Sequence, residues 1–376
     1  MEHDFTPVIR QSLTEHFGKA AEDLFAKSPL LQYINLKTVS ATRGSKARSS
    51  FANLYAIYVL VEDYVTHGFD KKGDYSKYEG AQFSHLFRRQ RQLPFGRKLQ
   101  NHALNSRLNE EFRKFFPQVD SQPILRVLET RRYWINEKLL VVPLGRKSYN
   151  LARPIVEIID SYAATKQASF ETFIRTCIEL RAISRKKGGQ VEDFVGRLLA
   201  PSVDARIFEI VSYAILKYFY HDQTVYFGFQ LDELERSPLV LYKTGRTNAN
   251  DGGIDFVMKP LGRFFQVTET LDVRKYFLDI DKIERYPITF VIKSEASVDE
   301  LARSLREGAE RQYSIKAIVD RYMACIEEVV NIPVLQERFH RAVAQGYLGA
   351  IMDEIVRQSK VEFNYEDSDE VEANDE

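Results

Sequence analysis

The segment YKTGRTNANDGGIDFVMKPLGRFFQVTET, Tyr242 to Thr270, decides how the rest of the chain is read. A short apolar run ends at Lys243 and Thr244, a turn rich in Gly and Asn follows, and Asp255 then stands between the apolar residues Ile254, Phe256 and Val257. A carboxylate in that setting loses its hydration unless it is paired, hydrogen-bonded or bound to a cation. Eleven residues later Gln266 lies in a second apolar run, and strand alternation sets Gln266 and Thr268 on one face, Phe265 and Val267 on the other. If the two strands are neighbours, Asp255, Gln266 and Thr268 converge. Oxygen-bearing side chains on a sheet, with positions left for water, suit Mg²⁺, which takes few protein ligands. Such an ion activates water and neutralises charge on a phosphodiester.

Upstream, Asp204 is a suitable N-cap for a helix that is apolar almost all round to Tyr220, and so should be buried. Short β-type runs follow at 224–229, 239–244, 254–258 and 264–268, then a charged helical stretch and a further run at 288–293. Ser297 and Glu300 form a capping-box pattern that opens helices running to about Ser359. The order helix, four strands, helix, strand predicts an α/β fold, a mixed sheet flanked by helices. Before residue 190 apolar residues recur at three- and four-residue spacing, as in Phe51 to Val65, Ile155 to Ala164 and Phe170 to Ile183, so the first part should be α-rich. The stretch SRKKGGQVE, Ser184 to Glu192, interrupts that periodicity. The expected organisation is an α-rich domain over 1–190, an α/β domain over 191–360 and an acidic tail over 361–376.

At these residues the chain resembles the PD-(D/E)xK nuclease superfamily, and its Mrr-like branch in particular. The matching elements are Asp251-Gly-Gly-Ile-Asp255, Gln266-Val-Thr268, and Phe208-Glu209 in the upstream helix. The resemblance spans about Asp204 to Ser294. It implies a PD-(D/E)xK-type mixed sheet, metal binding by Asp255 and Gln266 with support from Glu209, and hydrolysis of double-stranded DNA, foremost by a type II restriction endonuclease acting as a homodimer. A modification-dependent Mrr-type nuclease, or a DNA-binding protein with an inactive nuclease fold, are the alternatives. The family's lysine position is Thr268, which carries no positive charge. Either a lysine from a neighbouring element (Lys243, Lys275, Lys282 or Lys293) reaches the site, or the threonine hydroxyl holds the water, or the site is inactive. Glu269 alternates away from Gln266 and is expected to pair with Arg263. For Glu209 itself, pairing with Arg206 or Lys217 is the plain structural reading.

The 53 basic and 53 acidic residues cancel, but eight acids fall in the last sixteen residues, leaving 53 basic against 45 acidic residues before them. Between Phe83 and Lys114 eight basic residues, among them Arg88, Arg89, Arg91, Arg97 and Lys98, alternate with Phe87, Phe95 and Phe112. That composition suits a phosphate-neutralising surface or, more plainly, a solvated helix face. Arg146, Lys147, Lys243 and Arg246 are further candidate DNA contacts. The longest apolar run, Leu54 to Val61, is eight residues, too short for a membrane span. Two distant cysteines and the lack of a secretory signal pattern fit a cytoplasmic protein. No phosphate-cradling GxxxxGK[ST] motif points to ATP. The seven histidines form no i,i+4 metal pair, and only His221, just after the Glu209 helix, lies near the site in sequence.

Overall fold

The computed structural model describes residues 2–39, 47–71, 74–97, 99–183, 188–244, 254–283 and 285–363. Asp251 to Gly253, Lys98, Arg246, the basic run 184–187 and the acidic tail beyond 363 therefore lie outside the described residues. The chain divides into two units, one from Met1 to Phe173 and one from Ile174 to Tyr365. The division falls inside the helix Ala152–Ile183, earlier than the expected boundary at 190. The last ten residues of that helix, Ile174 to Ile183, belong with the second unit, where Arg181 pairs with Asp353 at 2.7 Å.

The first unit is helical, as its periodicity predicts, but it also carries short strands. Helices Pro29–Thr38 and Ala47–Thr66 bury Leu30, Leu31, Ile34, Leu54, Ile57 and Leu60 completely. Full burial of such a side chain contributes about 1.5–3 kcal/mol. Strands Ala81–Gln82, Ile124–Val127 and Arg132–Ile135 form a small antiparallel sheet, and Val141–Leu144 pairs with Lys147–Asn150 as a hairpin. These strands are too short for their alternation to stand out in the sequence.

The second unit is built on a five-stranded mixed sheet. Helix α1 (Ala205–Phe219) starts where Asp204 accepts hydrogen bonds from the amides of Arg206 and Ile207, which satisfies donors that the first turn leaves open. A two-stranded hairpin, β1 (Thr224–Phe227) and β2 (Glu235–Pro238), stands apart from the main sheet. Strands β3 (Val240–Lys243), β4 (Phe256–Lys259) and β5 (Arg263–Thr268) then run antiparallel in sequence order. Helix α2 (Val273–Lys282) crosses over to β6 (Ile288–Ile292), which lies parallel to β5. Helices α3 (Val298–Gln312) and α4 (Lys316–Met323) lead to β7 (Ile326–Val330), parallel to β6 at the sheet's edge. Helices α5 (Ile332–Ala344) and α6 (Leu348–Phe363) close the unit. The capping box at Ser297 is present, whereas β7 interrupts what reads in sequence as continuous helix.

Two helical layers cover the sheet. On one side Tyr213 of α1 packs on Phe256, and Tyr220 at the end of α1 meets Phe265 edge-on, at ring separations of 5.2 and 6.3 Å. On the other, Tyr276 of α2 lies 4.3 Å from Phe290, in a cluster with Ile254, Ile288, Ile292, Leu301 and Leu305. Every residue of β6 is buried, as expected of a parallel strand covered on both faces. Among the described residues no helix is long and apolar enough to cross a membrane.

Candidate functional site

The chain bends between Ile254 and Asp255, and this bend fixes the site. Ile254 packs in the α2 cluster, while Phe256, two residues on, stacks under α1. A regular strand would put both on one face. Asp255 between them leaves the regular ladder: its amide donates to the Phe265 carbonyl at 3.2 Å, and its carboxylate accepts from the Val267 amide at 2.7 Å. Thr244 bonds the Ile254 and Asp255 carbonyls, pinning the end of β3 to the bend. The Asp255 carboxylate therefore occupies a place where β4 and β5 part, and its charged neighbours are Glu209, Arg206 and Lys243.

Glu209 faces this position from the second turn of the buried helix α1. Lys243, the last residue of β3, holds its Oε1 at 2.9 Å, and Arg206 holds its Oε2 at 2.7 Å. Arg206 also approaches Glu362 of α6 at 3.9 Å. Burial, reinforced by the negative charge of Glu209, pushes the Asp255 carboxyl up to about 7; the Val267 amide and the two cations only partly offset it. Two acids and two bases thus form one cluster around the buried Glu209, with Arg206 reaching solvent, held in place by backbone and helix contacts.

Gln266 and Thr268 are not part of this cluster. They pair in register with Phe290 and Ile292 of β6, both members of the α2 cluster, so they lie on the layer opposite α1. The expectation that Asp255, Gln266 and Thr268 share one face assumes unbroken alternation through Asp255, and the bend removes it. The Gln266 side-chain oxygen is buried without a hydrogen-bond partner among the described residues, and Thr268 bonds the backbone of Thr270 within the turn and meets Tyr276 of α2. Glu269 does fall on the α1 layer, but it pairs with Lys293 at 2.6 Å, not with Arg263, which bonds Glu327 and Glu328 instead. Lys293 also bonds the Val203 carbonyl and lies over the Phe208 ring. Of the remaining lysines, Lys217 pairs with Glu354 and Lys282 with Asp279. His221 packs against Tyr218 and Tyr347.

The expected DNA contacts divide in the same way. Lys243 is bound to Glu209 and half-buried, so it belongs to the acid cluster and not to an outward-facing surface. Arg89 makes a two-pronged bond with Glu62, at 2.8 and 2.7 Å, that ties helix Phe83–Gln92 to helix Ala47–Thr66. Arg91 folds back onto the Arg97 carbonyl. Phe112 is buried, Phe95 packs on Phe51 and Phe87 on Phe83, so these rings support the core of the first unit. Arg88, Arg97, Arg113, Lys114, Arg146 and Lys147 are exposed.

Among the described residues no three His, Cys, Asp or Glu side chains gather as a metal set. Mg²⁺ is content with one or two carboxylates and completes its octahedron with water. Asp255 and Glu209 are two hard oxygen donors of that kind, and the charge of Glu209 is one cause of the raised Asp255 carboxyl. Compared with family models, with curated proteins and with solved structures, the chain finds no match.

Proposed function

We propose that the chain is a Mg²⁺-dependent endonuclease acting on double-stranded DNA, with Glu209, Asp255 and Lys243 as its working residues. The observation that carries this reading is the buried Asp255 carboxyl, raised towards neutrality beside Glu209, with a lysine bonded to the same acid. Strongly perturbed acids beside a charged partner concentrate at functional sites. The mixed sheet flanked by helices is also the layout that the PD-(D/E)xK resemblance implies, with the Phe208-Glu209 helix laid against the strands that bear the acid.

Asp255 and Glu209 would hold the Mg²⁺, which supplies an activated water and charge neutralisation on the scissile phosphate. The Val267 amide orients the Asp255 carboxylate, and Arg206 fixes the Glu209 side chain. Lys243 supplies the positive charge that Thr268 lacks: its three N–H donors orient the attacking water and meet charge developing on the phosphate oxygens. Gln266 has no part in this scheme, because it sits across the sheet. Exposed Arg113, Lys114, Arg146 and Lys147 of the first unit neutralise DNA phosphates, releasing bound counterions. Sequence-specific type II restriction is the activity this arrangement serves.

A second reading, DNA binding without cleavage, is favoured by one observation: both Glu209 oxygens are already taken by Lys243 and Arg206. Incubation of the purified chain with plasmid DNA separates the two. Discrete fragments with Mg²⁺, none with EDTA and none from Asp255→Ala support restriction. Cutting confined to methylated plasmid points to a modification-dependent enzyme. A mobility shift with no cutting under any of these conditions supports the second reading.

A further inference from the structure

The hairpin of β1 and β2 exposes the apolar surface that most lacks an account. Phe229 is 91% exposed, Leu231 89% and Tyr226 74%, with Phe227 and Leu234 also open to solvent. A two-stranded hairpin alone in water is marginal, and among the described residues β1 pairs with β2 only. Aromatic side chains carry about 150–250 Å² each, so the three rings at these exposures present roughly 400 Å². That already reaches the size at which an apolar patch on a monomer marks an interaction site.

Three features select the occupant. First, the segment Thr224 to Pro238 carries Asp232, Glu233 and Glu235 against Arg236, so its net negative charge opposes a DNA backbone. Second, the two edges differ. β2 carries Glu235, Arg236 and Pro238, devices that block strand addition, whereas β1, Thr-Val-Tyr-Phe, carries none of them. Third, Leu239 donates to the Gln223 carbonyl just beyond the paired segment. Ladder bonds alternate in an antiparallel pair, so the backbone groups of Thr224 and Tyr226 point to the free edge.

We propose that a second copy of this chain docks on β1, edge to edge about a two-fold axis through Val225, making a four-stranded antiparallel sheet. Thr224 of each copy then exchanges backbone bonds with Tyr226 of the other. The acids of β2 stay at the outer edges, away from the axis. Doubled by the symmetry, with Leu231 and Leu234 added, the apolar patch clears the about 1,000 Å² expected of a specific interface. This inference stands on the hairpin and not on the nuclease reading, although cutting both strands of a duplex at one site usually calls for two active sites.

The test is the mass of the full chain in solution, by light scattering from 1 to 100 µM, for the parent, Tyr226→Lys and the Phe229→Glu/Leu231→Glu double variant. These residues are exposed, so a far-UV spectrum matching the parent's checks that each variant folds. The expected result is twice the 43.7 kDa chain mass for the parent and the single-chain mass for both variants. A parent that stays single over the whole range overturns the proposal, as does a dimer that both variants leave intact. Loss of DNA affinity in the double variant of a single-chain parent would assign the hairpin to DNA and likewise overturn it. Cleavage by Asp255→Ala bears on the active site alone, so failure of either proposal leaves the other readable.

Discussion

Between its ordinary value of 3.8 and about 7, Asp255 holds a proton in the folded chain that the unfolded chain has already released. Stability therefore falls as pH rises through that window and levels off above it. Asp255→Asn keeps the acceptor for the Val267 amide and removes the charge. It is expected to match the parent near pH 4 and to exceed it by on the order of 2 kcal/mol at pH 8, read from denaturant melts at the two pH values. Gln266 carries the opposite expectation to the one its sequence position suggests. Because its oxygen is buried and has no partner among the described residues, Gln266→Leu should melt at the same temperature or higher, at a gain of about 1 kcal/mol, and should respond to Mg²⁺ as the parent does. Asp255 was legible because an acid among apolar strand residues has few innocent explanations. Gln266 was misplaced because two residues of irregular backbone at Ile254 and Asp255 reverse the faces, and alternation counted along a sequence assumes there are none.

At the level of elements, α1 is the part of the site that sequence reads best. Its cap, its apolar surface and the position of Glu209 follow from ordinary helix rules. Asp204→Ala should cost about 1 kcal/mol in a chemical denaturation curve, since it leaves the amides of Arg206 and Ile207 without their acceptor. Strands β3 to β6 were equally legible, being apolar and bounded by turn residues. β7 was not: its sequence, Ile-Glu-Glu-Val-Val, places two charged residues together, and it becomes a strand because tertiary partners absorb them. Arg263 of β5 bonds Glu327 and Glu328, and Arg338 of α5 bonds Glu328 as well. β2 was missed for a similar reason, since Glu-Arg-Ser-Pro has no strand character until β1 lies beside it.

For the whole molecule, the basic residues divide into those that hold the first unit together and those exposed to solvent, which the proposal assigns to DNA. Arg113→Ala/Lys114→Ala should weaken binding equally for all sequences and lower the salt dependence of log K by about 2, measured by fluorescence anisotropy over a salt series. Arg89→Ala should instead lower the melting temperature, because it abandons Glu62 between two helices. The charge imbalance was legible in the sequence. Its division was not, because a count of lysines and arginines does not reveal which of them have acidic partners. The claim that the α1-side cluster does the chemistry is tested most directly by the rate of Mg²⁺-dependent plasmid cleavage for four proteins: the parent, Asp255→Asn, Lys243→Met and Gln266→Leu. The expected result is cleavage at the parent's rate by Gln266→Leu, a loss of 100-fold or more in Lys243→Met with DNA affinity retained, as for removal of a group acting on the attacking water (about 10²–10⁴), and none detectable from Asp255→Asn. A normal rate from Asp255→Asn, or abolished cleavage in Gln266→Leu with its fold intact, would contradict it.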